Sequence, residues 1–352
     1  MALLTARRFL LVLAGYALFA LAAMLAAPMF GAEPVNVPRA LSQWWETRGA
    51  AVRPYEVDIL LHLRLPRILL AFLTGGALAV TGAVFQALLR NPLATPYTLG
   101  VASGGSFGAV LAFFLPAYLP WIAFELGPFN YVQCLSFAGS LGAMALIYGL
   151  ARTGGRISTM ELLLAGVTLG MIFSSLILAV RYFASPHIVV NMDRWLMGGL
   201  SVTGYGEVRS VLPFLAVGLG VQLGLARALD QLGLGEELAQ SRGVNVARLQ
   251  ALVFVFGSLA VASVVAVAGL IGFVGLIVPH TARRLTGPDH RLLLPASLLA
   301  GGGFLVLCDT VARTIIAPTE LPVGIITSLL GGPFFIYLLV RSRRGGRMWG
   351  VD

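Results

Sequence analysis

The chain has no lysine: all 24 of its basic residues are arginine. A phosphate-binding loop needs a lysine to reach the β- and γ-phosphates, and Schiff-base chemistry needs a lysine amine. Both are excluded, so any ATP that drives this protein is hydrolysed by another polypeptide. Charge of either sign is scarce. Of the 352 residues 11% are charged, where a soluble domain carries roughly 25%. The two cysteines, Cys134 and Cys308, lack metal-ligand spacing. The four histidines, His62, His187, His280 and His290, never fall at the i, i+4 spacing of a helical metal pair. No H-E-x-x-H occurs, and serine, histidine and aspartate are scattered, which leaves an intramembrane enzyme without a catalytic constellation.

Apolar sequence is abundant, at 58%. A helix needs about 20 apolar residues to cross hydrocarbon. Runs of that kind fall near 9–29, 68–89, 99–119, 132–151, 160–183, 209–229, 249–270, 291–311 and 322–340. The stretch 247–282 is too long for one span, about 50 Å as a single helix. Gly269, Gly272 and Gly275 offer breaks, and the stretch reads as a full span plus a short one near 272–283. The first run, Phe9–Phe30, exceeds the roughly 7–15 residues of a signal-peptide core and reads as a retained span. The expectation is an all-α polytopic membrane protein with ten transmembrane helices in one domain over residues 1–352.

An even count puts both termini on one side, and both are arginine-rich: Arg7 and Arg8 at the start, "RSRRGGR" (341–347) at the close. Basic flanks favour the cytoplasm. The inner loops then carry Arg90, Arg152, Arg156, Arg227, Arg242, Arg248, Arg283, Arg284 and Arg291. Against the rule, Arg64 and Arg67 of "RLPR" fall outside, with Arg39, Arg48, Arg53, Arg181, Arg194, Arg209 and Arg313. Pro66 suits a rigid helix start there.

Two stretches share the spacing G-x9-P-x7-G, offset by 187 residues: Gly82, Pro92, Gly100 and Gly269, Pro279, Gly287. They enter the membrane in opposite senses, which predicts two inverted halves of five helices, about 1–200 and 201–352, and points to a transporter. Acids avoid the expected bilayer centre; Glu161 and Asp309 sit near span ends. Without a chain of intramembrane carboxylates an ion-coupled secondary carrier is the weaker reading, and energy comes from a partner. The inner segment "LDQLGLGEELAQSRGVNVARLQ" (229–250) is the place for that partner. "GEELAQS" has acids in its first turn, as a helix start favours, and predicts a short helix between glycines that fits a cleft of another protein.

The stretch "RLPRILLAFLTGGALAVTGAVFQALLRNPLATPYTLGVASGGSFGA" (Arg64–Ala109) resembles the FecCD-type permeases of type II ABC importers, which import iron-siderophores, haem and cobalamin. "LGLGEELAQSRGVNV", "GLIGFVGLIVPHTARRLTGPDHRLLLPASLLAGG" and "LPVGIITSLLGGPFFIYLL" extend the resemblance from Arg64 to the end. It implies a homodimer with a central path in the bacterial inner membrane and the type II importer fold. It also implies two cytoplasmic ATP-binding subunits, holding the ATP and Mg, and a periplasmic binding protein. By the same resemblance, Arg64, Arg67 and Arg313 face acids of the binding protein, while Gly235, Glu236, Glu237 and Gly243 contact the ATPase. No metal or cofactor is expected on this chain. Arg181, near the outer end of the fifth span, suits a carboxylate-bearing cargo, and His187 suits a transient iron ligand. Haem is therefore the leading cargo, ahead of ferric-siderophore and cobalamin.

Overall fold

The computed structural model describes residues 6–31, 33–47, 54–153, 156–157 and 159–345. Every apolar segment read from the sequence is helical there. Helix α1 (Ala6–Ala26) is followed by a short surface helix, α2 (Val37–Glu46). Next, α3 (Tyr55–Asp58) passes through a π-helical stretch (Ile59–Arg64) into α4 (Leu65–Leu89). Helices α5 (Val101–Phe114) and α6 (Tyr131–Leu150) pack as a pair, and α7 (Thr159–Phe183) leads into α8 (Pro186–Leu196). Helix α9 (Gly206–Gly224) bends by 46° into α10 (Ala226–Leu232), and α11 (Glu236–Ser241) follows. The chain closes with α12 (Val246–Ala268), α13 (Val274–Thr286), α14 (His290–Ala312) and α15 (Val323–Gly345). Two antiparallel pairs of two-residue strands, Glu125–Leu126 with Phe129–Asn130 and Arg152–Thr153 with Arg156–Ile157, make the only described strand pairings.

Among the described residues six helical stretches are long and apolar enough to cross a bilayer, seven if α9 and α10 form one bent span. Helices α5, α13 and α15 are shorter or less apolar, so ten segments are found but not ten equal spans. The split in 247–282 is real: α12 stops at Gly269, whose φ of 67° suits glycine, and α13 begins at Val274.

One expectation holds and one is corrected. Pro66 stands in the first turn of α4, as expected, although the helical backbone runs on continuously from Tyr55 through the π-helical stretch. Pro66 has no N–H to give the carbonyl of His62 four residues back, and the Gly204 N–H donates to that oxygen at 2.7 Å. The correction concerns the Gly–Pro–Gly match, whose two copies fall on different kinds of element. Gly82 lies inside α4 while Gly269 ends α12, and Pro92 lies in a loop while Pro279 lies inside α13.

Helix α4 is the central strut, with 83% of the apolar window in Tyr55–Leu89 buried, and α9, α12, α13 and α14 surround it. Glycine lets α4 and α14 touch. A Cβ on Gly75 would lie 2.1 Å from the Gly301 oxygen, and one on Gly301 would lie 2.4 Å from the Gly75 oxygen. Lipid gives no hydrophobic drive to association, so such close packing supplies the attraction. Helix α7 is the opposite case: only 6% of its apolar window is buried.

Candidate functional site

Two polar clusters sit at opposite ends of α4, whose 25 residues span about 37 Å. At the first end Arg67 is held by two acids. Its Nε donates to Asp309 Oδ2 at 2.9 Å, its Nη2 to Asp309 Oδ1 at 2.9 Å and its Nη1 to Glu320 Oε2 at 2.6 Å. Such a bidentate fork fixes both geometry and charge. Arg313, one turn beyond Asp309, has its Nε 4.0 Å from the same carboxylate and donates from Nη2 to the Ala27 oxygen at 2.7 Å. Arg64 donates to the backbone oxygens of Pro28 and Glu33. The Pro28 oxygen is available because the chain leaves α1 through the tight turn Ala27–Met29, where carbonyls lack helical partners.

The three arginines predicted for docking are thus brought together, around a cleft of about 420 Å³ that also includes Glu33, Tyr55 and Glu320. They do not form a free basic rim. Arg64 is 5% and Arg313 4% exposed, and local acids and carbonyls occupy all three. Glu320, whose side chain is 42% exposed, is the one acidic partner of Arg67 open to solvent; Asp309 is 1% exposed. Arg48, Arg53 and Arg347 lie outside the described residues.

At the second end the predicted short helix is present as α11. Gly235 (φ 126°) and Gly243 (φ 87°) turn the chain at its two ends, with backbone angles that a side chain strains. Ala239 is fully buried beneath it, while Glu236, Glu237, Leu234 and Leu238 face outward. None of the ion pairs found among the described residues includes Glu236 or Glu237. A cleft of about 490 Å³ runs beside α11, walled by Arg90 on its far side. Arg90 takes the left-handed φ of 47° that ends α4 and donates to the Leu232 oxygen at 2.9 Å. Asn245 caps α12 by accepting from the Arg248 N–H at 2.9 Å. Asp230 of α10 meets His290 of α14 at 2.6 Å, tying the segment to the bundle. Nearby, the Arg291 hydrogen bond holds the Asp289 carboxyl below the usual carboxylate range.

The predicted path residues lie elsewhere. Arg181, in the last turn of α7, is paired with Asp193 of α8 at 2.9 Å. His187 is exposed on α8, and no cluster of metal-ligating side chains occurs among the described residues. Tyr182 and Phe183, beside Arg181, are 84% and 70% exposed.

Sequence reasoning missed Asp309 and Glu320 as partners of Arg67, and Asp230 as the partner of His290. One signal was available: an acid near the end of an apolar helix must find a cation or lose its charge.

A bundle of apolar helices with a polar cleft at each end, a long uncovered helix and no lysine for an ATP site is a membrane transport permease. The chain belongs to the FecCD transport family, whose model matches residues 18–341. It is a permease of the ABC importers that take up iron chelates, haem, siderophores or cobalamin, a multi-pass membrane protein and not itself the ATPase. Permeases of this kind work with an ATP-binding subunit and a substrate-binding protein. The chain is 45% identical over 284 residues to the cobalamin import system permease BtuC of Halobacterium salinarum, covering 79% of this chain and 72% of that one. It is 39% identical over 290 residues to the hemin transport system permease HmuU of Yersinia pestis, covering 81% and 84%. A solved metal-chelate type ABC transporter in an inward-facing conformation superposes with a TM-score of 0.81 at 30% identity, covering 94% of this chain and 99% of that one.

Proposed function

We propose that two copies of this chain form the path of a haem importer, with both termini in the cytoplasm and α7 of each copy lining the path. The observation that carries this reading is α7 itself. It is long and apolar, yet 6% of its apolar window is buried, and it carries exposed serines at Ser174 and Ser175. Its far end presents Arg181, Tyr182 and Phe183, with His187 a few residues on. Two exposed aromatic rings suit a flat macrocycle, and a guanidinium suits propionates. Asp193 neutralises Arg181 in this state, so cargo carboxylates would exchange with it. Cobalamin is the second reading, favoured by the 45% identity to a permease named for it.

The Glu236 end is the proposed ATPase contact. Exposed Leu234 and Leu238 offer an apolar grip, and Glu236 and Glu237 set register; Gly235 and Gly243 hold the shape. The Arg64 end is the proposed binding-protein contact, through exchange. An acid of the binding protein would displace Glu320 from Arg67, with Arg64 and Arg313 as fixed supports. Reversing all three arginines would test folding instead, because two are buried.

The test is uptake into liposomes holding the permease and its ATP-binding subunit, supplied with haem-loaded binding protein. Arg181→Ala is expected to slow haem uptake about tenfold or more, the scale of one lost charge-assisted hydrogen bond. Unchanged haem uptake removes Arg181 from the path. Faster uptake of cobalamin than of haem by the wild type overturns the cargo. A monomeric mass for the purified permease overturns the shared path.

A further inference from the structure

Helix α10 is built as a lever. Its base is the 46° bend at Leu225, where α9 ends. Its tip leads through Gly233 and Gly235 into α11. Among the described residues, side chains of two long helices fasten it to the bundle. At the end of α4, Arg90 donates to the Leu232 oxygen at 2.9 Å. At the start of α14, His290 meets Asp230 twice. Its backbone N–H donates to Oδ1 at 2.9 Å, and its Nδ1 lies 2.6 Å from the same oxygen. An ionised carboxylate only accepts, so Nδ1 carries the proton. The other ring nitrogen, Nε2, is buried without a hydrogen-bond partner among the described residues, so Asp230 alone holds the ring. Arg291, next along the chain, is already taken by Asp289 at 2.6 Å. A cleft of about 530 Å³ opens beside the bond, walled by Leu223, Arg227, His290 and Arg291, and gives α10 room to move.

The same two helices are joined again at the other end of the molecule, where Arg67 of α4 clasps Asp309 of α14. Arg67 to Arg90 is about 35 Å along α4, and His290 to Asp309 about 28 Å along α14. In between, the helices touch at Gly75 and Gly301, and a Cβ on Gly76 would lie 3.1 Å from the Leu298 oxygen. Pro295 does not break α14, which stays one helix there with Leu292, Leu293, Leu294 and Ala296 fully buried around it. Helices packed this closely shift as units rather than deform smoothly. Helices α4 and α14 thus form a frame, with α10 across one end and the Arg67 clamp across the other.

We propose that Asp230 and His290 are positioning residues for coupled transport. Their bond makes α10 and α14 move together, so a displacement of α11 by the ATP-binding subunit reaches the Arg67–Asp309–Glu320 clamp. This rests on the reading of α11 as the ATPase contact. The place of the bond carries the inference. It joins the lever to the helix that bears Asp309, and His290 is 8% exposed, too buried to serve as a contact for the partner itself. Linkage makes the effect reciprocal: a partner acting on Glu320 alters the hold of the ATP-binding subunit on α11.

The test is hydrogen exchange read by mass spectrometry on the full permease, alone and with its ATP-binding subunit, with and without ATP. Two segments are followed: α11, and the turn 313–321 that carries Glu320. In wild type the subunit should protect α11, and ATP should then change exchange in 313–321 about fivefold, the low end of coupling between sites. Asp230→Ala and His290→Leu break the bond from opposite sides, so one serves if the other fails to fold. Each should keep α11 protected by the subunit and lose the response at 313–321, a split that general destabilisation does not produce. Asp230→Asn keeps an oxygen for both His290 donors and should keep the response. An undiminished response in Asp230→Ala or His290→Leu overturns the proposal and leaves the ATPase contact standing. So does a wild-type 313–321 segment that ATP does not change. An α11 that the subunit leaves unprotected in wild type overturns that contact and the proposal with it.

Discussion

The two ends of α4 use charge in opposite ways. At the Arg64 end, three guanidinium groups are locked to acceptors drawn from four separate stretches of chain, and Asp309 is 1% exposed. At the Glu236 end the acids stand in solvent on a six-residue helix that glycine turns and a buried alanine hold in place. A buried ion pair is expensive to form and more expensive to half-remove. Exposed acids contribute little to stability and stay available to a partner. The first end is therefore framework that a partner can adjust only at its exposed edge; the second is a handle.

This contrast can be broken in steps. Asp309→Ala removes the buried half of the Arg67 clamp and leaves buried Arg313 without a carboxylate, and is expected to cost about 3–5 kcal/mol, read as a lower thermal midpoint in detergent. Adding Arg67→Ala should recover part of that loss, a coupling that a double-mutant cycle measures. If the single variant melts like wild type, the Arg64 end is not framework. At the other end Gly243→Ala forces a side chain into left-handed backbone and should cost about 1–2 kcal/mol, with coupling of hydrolysis to uptake lost as well. Glu320→Gln removes only the exposed half of the Arg67 clamp. Its stability change should stay near 1 kcal/mol or less, while the salt dependence of binding-protein docking shifts; docking kinetics identical to wild type would sever Glu320 from that surface. Smallest in stability is Glu236→Gln with Glu237→Gln, expected within about 0.5 kcal/mol. Its effect should show instead as ATP hydrolysis that no longer drives uptake. A large drop in melting temperature here would erase the difference between the ends.

Much of the fold was legible because apolar runs are local. Each of ten runs became a helix, and the glycines of 247–282 marked a real break at Gly269. The short helix in "GEELAQS" was legible for the same reason: its acids, its glycines and the Asn245 cap all act within a few residues. What failed was non-local. Arg67 and Asp309 are 242 residues apart, and nothing in "RLPR" says which acid it meets. Topology counting put Arg64 and Arg67 on an unexpected side but could not show that their charge is already neutralised. Pro66 was legible as the first turn of α4, but the π-helical stretch before it was not, because the His62 oxygen there is satisfied from afar by Gly204. The Gly–Pro–Gly spacing misled because glycine does different work at each copy: Gly82 packs against Gly275, whereas Gly269 turns the chain.

The most direct test is cargo uptake by liposomes containing the purified permease, with and without the ATP-binding subunit and the loaded binding protein. Uptake should require all three components and ATP, and should be absent when the permease alone faces a proton gradient. Uptake by the permease alone under that gradient would contradict a path that has no energy source of its own.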